Sequence, residues 1–80
     1  MQVHTLAELG TAVRSARKAL GLTQDVAAAT CGVSVPFLNQ LEGGKRAGLS
    51  TTKVLEVCAA LGLQIHVHGP GQTAEDRHGR

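Results

Sequence analysis

The sequence is almost free of aromatic side chains. Phe37 is alone, and both Trp and Tyr are absent. The core must therefore be built from Leu, Val and Ala, which suits closely packed helices. The chain also lacks a strong charge of either sign, since 8 basic and 6 acidic residues leave a net charge of +2. That balance does not by itself indicate a nucleic-acid partner, and what matters is whether the basic residues cluster on one face.

Long apolar runs and paired cysteine motifs are missing as well. No stretch approaches the roughly 18 apolar residues of a membrane span, and no charged-then-apolar leader pattern precedes Thr5. Cys31 and Cys58 lie far apart, without C-x-x-C or zinc-ligand spacing. We therefore expect a cytoplasmic protein whose cysteines stay reduced and pack as small apolar residues. No catalytic triad, carboxylate pair or glycine-rich phosphate loop is recognisable, so we expect neither catalysis nor a cofactor.

Capping residues and glycines divide the chain into four predicted helices. Each helix follows a Ser or Thr that can cap its first turn, and each ends at or near a glycine. The predicted caps are Thr5 in a capping box with Glu8, Thr23, Ser34, and Ser50 or Thr51, and the predicted ends are Gly21, Thr30, Gly43 with Gly44, and Leu61 with Gly62.

The first helix has two contrasting faces. Its apolar residues recur at steps of three and four, which predicts a buried stripe of Leu6, Leu9, Val13, Ala16 and Leu20. Arg14, Arg17 and Lys18 are expected on the opposite face. Neighbouring like charges disfavour an isolated helix by a few tenths of a kcal/mol per pair. Either a solvated face or a nearby phosphate would account for this cluster.

The second and third helices carry the residues that a helix-turn-helix needs. Ala28 allows the two helices to approach closely, Gly32 allows the positive φ of a sharp turn, and Leu38 fills the angle between them. The third helix is expected to bury Ser34, Phe37, Leu38 and Leu41. Its outward face comprises Val35, Pro36, Asn39, Gln40 and Gly43, and the first four of these are here called the reading face.

The reading face has side chains that can recognise bases. Asn39 and Gln40 can each form two hydrogen bonds to the N6 and N7 atoms of adenine, whereas Val35 and Pro36 can touch thymine methyl groups. A solvated face that contacts nothing is the alternative interpretation. Gln24 stands beside the amides that begin the second helix, and Lys45 and Arg46 follow the third helix. These positions favour contacts to phosphate.

Residues 63–68 alternate between apolar and polar side chains, which predicts a short β-strand. A single strand in a helical chain leaves its backbone groups unpaired, so we expect it to pair antiparallel with a second copy. Leu63, Ile65 and Val67 would form its apolar face, packed against Leu55 of the wide apolar stripe on the fourth helix. His66 and His68 share the other face, where solvation explains them better than a metal site does.

The chain length of 80 residues allows one domain. We expect a helix-turn-helix and dimerisation domain over residues 1–68, followed by a disordered polar tail over residues 69–80. A domain of this size buries only about 60% of its unfolded surface, so a partner subunit would add stability.

These residues resemble the Cro/C1-type helix-turn-helix family, also called the xenobiotic-response-element family. The resemblance is carried by Ala28 and by residues 22–24, 31–34, 37–42 and 44–45. The continuation over residues 53–63 and a terminal strand look more narrowly like the HipB-type antitoxins. The resemblance implies an all-α, lambda-repressor-like fold of four helices, with a C-terminal strand pairing across a homodimer.

The resemblance also implies partners and site residues. A homodimer would bind double-stranded DNA at a palindromic operator of its own operon, and would neutralise a HipA-like serine/threonine kinase toxin. Gln24, Ser34, Lys45, Arg46 and Arg17 would contact phosphates, and the reading face would contact bases. A solitary repressor without a toxin is the alternative. A helical interaction module that never meets DNA remains a third possibility, and it predicts that alanine is tolerated at Asn39, Gln40, Lys45 and Arg46.

Overall fold

The computed structural model describes residues 2–44, 48–67 and 69, and within them it contains four helices. The all-α prediction is confirmed. Lys45, Arg46, His68 and residues 70–80 of the predicted tail lie outside the described residues. The four helices are α1 (Leu6–Ala19), α2 (Gln24–Cys31), α3 (Val35–Gly43) and α4 (Thr51–Ala60).

Local capping explains where each helix starts. The Thr5 hydroxyl accepts a hydrogen bond from the Glu8 amide at 3.1 Å, and the Glu8 carboxylate accepts one from the Thr5 amide at 3.2 Å. This is the predicted capping box, which satisfies two amide groups that the helix cannot satisfy itself. The hydroxyls of Thr23, Ser34 and Ser50 cap α2, α3 and α4 in the same manner.

The core lies where all four helices meet and consists of small and branched aliphatic side chains. Its largest fully buried members are Leu38, Leu41, Val13, Val57 and Cys58. Cys31 is buried in the same cluster, and both cysteines are free. Burial raises the pKa of both thiols, which keeps them protonated and unreactive. The prediction that the cysteines are packing residues is confirmed.

The buried line of α1 differs from the predicted stripe at its C-terminal end. Gly10, Val13 and Arg17 are the buried residues of α1, whereas Leu20 is 56% exposed. The prediction for Leu20 is wrong, because the helix ends at Ala19 and Leu20 forms its C-cap beyond the packed turns. Leu20 keeps a helical backbone conformation, so its exposure reflects its position at the end of the helix, where it is not part of the hydrophobic core cluster.

Two glycines allow α1 and the end of α3 to approach closely. A Cβ at Gly10 would overlap the backbone carbonyls of Leu41 and Glu42, and a Cβ at Gly44 would overlap the Cα of Ala7. Gly44 also adopts a left-handed conformation with φ of 62°, as the C-cap of α3. These close approaches pack the backbone at the end of α3 directly against α1.

The segment after α4 forms no strand among residues 63–67, which the structure describes in a single chain. The predicted strand was to pair with a second copy, so its formation stays a prediction. Ile65 and Val67 are 49% and 80% exposed, and Leu55 of α4 is 46% exposed. None of the helices in the described part of the chain has the length and apolarity to cross a membrane.

Candidate nucleic-acid interface

The angle between α2 and α3 is built as the sequence predicts. Ala28 of α2 is 2% exposed and Leu38 of α3 is fully buried. Gly32 ends α2 with φ of 74°, a left-handed conformation that glycine adopts without steric cost. The amide of Val33 then donates a hydrogen bond to the Ala28 carbonyl at 3.0 Å, which closes the turn before α3 begins. The helix-turn-helix prediction is confirmed.

The reading face lies on the outside of α3. Pro36 and Asn39 are exposed, whereas Val35 and Gln40 are half-buried. The opposite face buries Leu38 and Leu41, as predicted, and Phe37 packs against the core while remaining half-buried. The outward prediction holds fully for Pro36 and Asn39, whereas Val35 packs partly against the core because it begins the first turn of α3.

Ser34 departs from its predicted burial. It is exposed, and its hydroxyl accepts a hydrogen bond from the Phe37 amide at 3.1 Å. Ser34 precedes the first turn of α3, so the helical spacing that grouped it with Leu38 does not apply to it. Its exposure is compatible with the predicted phosphate contact, which the structure does not test.

The prediction that Arg17 lies outward and contacts a phosphate is wrong. Its guanidinium is buried and forms a two-pronged ion pair with the Glu42 carboxylate, with nitrogen–oxygen distances of 2.7 and 3.0 Å. A third nitrogen donates to the Leu22 carbonyl at 2.8 Å. Hydrogen bonding to Glu42 raises the pKa of Arg17 further above its already high ordinary value. A charge paired in this way is better stabilised by Glu42 than by a distant phosphate.

Gln24 connects this buried ion pair to the reading face. Its side-chain nitrogen donates to a Glu42 oxygen at 3.1 Å, and its side-chain oxygen accepts from the Asn39 amide at 3.4 Å. Sequence patterns do not indicate this relay, because its four members are spread over three helices. The sequence offered only two indications of it: Glu42 near the end of the recognition helix, and Arg17 on the predicted polar face of α1.

The remaining predicted basic residues are divided between described and undescribed parts of the chain. Arg14 and Lys18 are exposed on α1 and stand one helical turn apart. Lys45 and Arg46 lie outside the described residues, so their phosphate contacts stay predictions. Among the described residues, no group of three or more His, Cys, Asp or Glu side chains could hold a metal ion.

The fold and the reading face together define the class of this protein. Two helices meet at a glycine turn, and the second of them carries the exposed Asn39 and the half-buried Gln40 on the face opposite the buried Leu38 and Leu41. This is the geometry by which helix-turn-helix proteins insert a recognition helix into the major groove. The structure is that of a DNA-binding domain.

Comparison with known proteins confirms this class. Residues 8–68 match a family model described as a helix-turn-helix domain, and the chain belongs to this family. An uncharacterised HTH-type transcriptional regulator, y4mF of Sinorhizobium fredii, is 38% identical over 71 residues, which cover 89% of this chain and 92% of that protein. The protein is therefore a DNA-binding helix-turn-helix transcriptional regulator of the Cro/C1 type.

Other relatives differ in length or are similar mainly in fold. A propionyl-CoA carboxylase regulator of Cereibacter sphaeroides is 41% identical over 56 residues, which span 70% of this chain but 12% of that protein. A HipB variant, solved in a complex with an O2 20mer, has a TM-score of 0.75 and 17% identity, over 86% of this chain and 94% of that one. The restriction-modification controller protein C.AhdI of Aeromonas hydrophila has a TM-score of 0.65 and 29% identity, over 74% and 88%.

Proposed function

We propose that this protein is the DNA-binding antitoxin of a type II toxin–antitoxin system. In this proposal it represses its own operon as a homodimer and neutralises a HipA-like serine/threonine kinase toxin. The observation that carries the DNA-binding part is the amide pair of the reading face, the exposed Asn39 and the half-buried Gln40, on a helix whose other side is buried in the core.

The chemistry of the reading face supports recognition of A·T pairs. Amide side chains can donate to adenine N7 and accept from adenine N6, and small apolar groups can contact thymine methyls. Pro36 and Val35 supply such apolar groups at the start of α3, beside the exposed hydroxyl of Ser34. Lys45 and Arg46 would hold the flanking backbone, because contacts to phosphate set the register without reading sequence.

An exposed apolar surface supports the homodimer. A groove of about 280 Å³, here called the apolar groove, lies beside α4 and includes the half-exposed Leu55 and Ile65. Its other apolar residues are Leu6, Leu9, Leu49 and Val54. A second copy whose segment 63–67 pairs with this one would cover Ile65 and satisfy the backbone groups of both segments.

The antitoxin part of the proposal rests on likeness to HipB. The similarity extends over most of both chains and concerns the fold. The solitary repressor is the second candidate, and the similarity to a propionyl-CoA carboxylase regulator supports it. The test is to purify this protein from cells that also express the neighbouring gene. Co-purification of a kinase encoded by that gene would favour the antitoxin. Recovery of the regulator alone would favour the solitary repressor.

DNA binding is tested by affinity measurements on the protein's own upstream region and on random DNA. Lys45→Ala and Arg46→Ala should weaken binding to both DNAs alike, and should reduce the slope of log K against log salt by roughly 0.9 per lost phosphate contact. Asn39→Ala and Gln40→Ala should each cost about 1–3 kcal/mol on the operator and little on random DNA. Equal losses on both DNAs would remove the base-reading assignment.

A further inference from the structure

A hydrogen-bonded relay leads from the interior of the protein to its reading face. Arg17 donates twice to Glu42, Gln24 donates to Glu42, and Asn39 donates to Gln24. Arg17 and Glu42 are each 8% exposed, Gln24 is half-buried, and Asn39 is exposed. The relay therefore begins at a buried ion pair and ends at a side chain that can touch DNA.

The ion pair determines which way both amides point. An ionised carboxylate can only accept hydrogen bonds, so Gln24 must present its nitrogen to Glu42. The oxygen of Gln24 is then directed toward Asn39, and Asn39 must present its own nitrogen to make the contact. If the Gln24 amide were turned over, its oxygen would face the Glu42 oxygen and its nitrogen would face the Asn39 nitrogen, so both hydrogen bonds would be lost. The negatively charged Glu42 therefore determines the orientation of the Asn39 side-chain amide through Gln24.

We infer that Gln24 is a positioning residue that gives Asn39 its base preference. This inference rests on the proposed function, in that α3 reads DNA. One N–H of Asn39 is committed to Gln24, which leaves one N–H and the side-chain oxygen for DNA. Adenine presents one acceptor, N7, beside one donor, N6, and it is the base whose major-groove edge matches this remaining pair. Guanine presents two acceptors and would leave the Asn39 oxygen without a donor.

This role of Gln24 differs from the phosphate contact expected for the first residue of α2. A phosphate contact affects binding to every sequence alike, whereas a positioning residue affects the preference at one base. The geometry supports positioning, because one N–H and the oxygen of the Gln24 side chain already have partners within the protein. Its second N–H has no partner in this relay, so the dependence on base and on salt distinguishes the two roles.

The test starts with selection of binding sites by the wild-type protein from a random-sequence duplex pool. The selection is repeated with Asn39→Ala, and the base pair at which the adenine preference disappears is the one that Asn39 reads. Duplexes with adenine, guanine or 7-deazaadenine at that position are then titrated with wild type, Gln24→Met and Gln40→Met. Met preserves the length of Gln and removes its hydrogen bonds, so Gln40→Met is a matched control on the reading face. Thermal unfolding establishes that each variant is folded, and Gln24→Ala replaces Gln24→Met if the latter is not.

The expected result is that Gln24→Met loses base preference only at the position that Asn39 reads. Wild type should prefer adenine over guanine and over 7-deazaadenine by on the order of 10-fold at the Asn39 position. Gln24→Met should lose most of that preference while its salt slope and its preferences elsewhere remain. Gln40→Met should keep the preference at the Asn39 position and lose one elsewhere.

Two other results would overturn the inference in distinguishable ways. If Gln24→Met binds all duplexes more weakly by the same factor and has a shallower salt slope, Gln24 is a phosphate contact. If it keeps the full adenine preference, the relay does not position Asn39. Failure of wild type to select any sequence would instead reject the proposed function itself.

Discussion

The contact between α1 and α3 is closely packed, whereas the apolar groove beside α4 is partly exposed to solvent. At the first, Gly10 and Gly44 bring backbones together and Arg17 pairs with Glu42. At the second, Leu55 and Ile65 remain about half exposed. One region is completed within a single chain, and the other has apolar area left to bury. The recognition helix is therefore held by contacts within one chain, whereas the groove leaves apolar area that the proposed second copy would cover.

Breaking the buried ion pair should have the largest effect on stability. Glu42→Ala leaves the Arg17 guanidinium buried without a counter-charge, which typically costs about 3–5 kcal/mol. Denaturant unfolding measures this loss. The double variant Arg17→Met with Glu42→Leu is the control, because it removes both charges and should recover most of the stability. A single variant that unfolds within about 1 kcal/mol of wild type would mean that the pair is solvated and not a buried anchor.

Adding a methyl group at Gly10 should have the next largest effect. Alanine is the better helix former by about 1 kcal/mol, yet its Cβ would overlap the carbonyls of Leu41 and Glu42. Overpacking of this kind costs about 1–3 kcal/mol, so we expect Gly10→Ala to be net destabilising by thermal unfolding. Ser15→Ala, at an exposed position of the same helix, is the matched control and should be neutral or slightly stabilising. A stabilised Gly10→Ala would show that α1 and α3 are not in close contact.

The elements of this fold were predictable because their signals are local. Thr5 with Glu8, Gly32 and Ser34 act through hydrogen bonds and dihedral angles within a few residues of themselves, and the structure has each of them in its predicted capping or turn role. The burial of Ala28 and Leu38 followed because the helix-turn-helix requires small and branched residues at those two places.

The long-range contacts were not predictable from periodicity. Arg17 looked like part of a solvated face because a charged residue is normally outward, and only its partner 25 positions away explains its burial. Gly10 gave no signal, since a glycine inside a helix does not indicate which backbone approaches it. The relay through Gln24 to Asn39 combines residues of α1, α2 and α3, so it required the relative placement of all three helices.

A smaller effect is expected from pH at the first turn of α1. Hydrogen bonding from the His4 amide lowers the pKa of Glu8 below its ordinary value of 4.5. A lowered folded pKa stabilises the fold above the unfolded value, and this contribution is lost as the pH falls through the folded pKa. The difference in melting temperature between wild type and Glu8→Ala should therefore shrink between neutral pH and about pH 3. Glu56→Ala on the exposed face of α4 is the control, and a difference unchanged by pH would contradict the role of the carboxylate.

The most direct test of the account is the mass of the protein alone and on its upstream DNA, measured by native mass spectrometry. We predict a dimer in solution and two chains per operator, because two half-sites one helical turn apart need two recognition helices in fixed register. Ile65→Pro removes a backbone donor and an apolar side chain from the segment proposed to pair across the dimer. It should give a monomer with much weaker operator binding, whereas truncation after residue 68 should change neither property. A wild-type monomer, or an Ile65→Pro variant that remains dimeric and binds its operator as wild type does, would contradict the assembly proposed for the apolar groove.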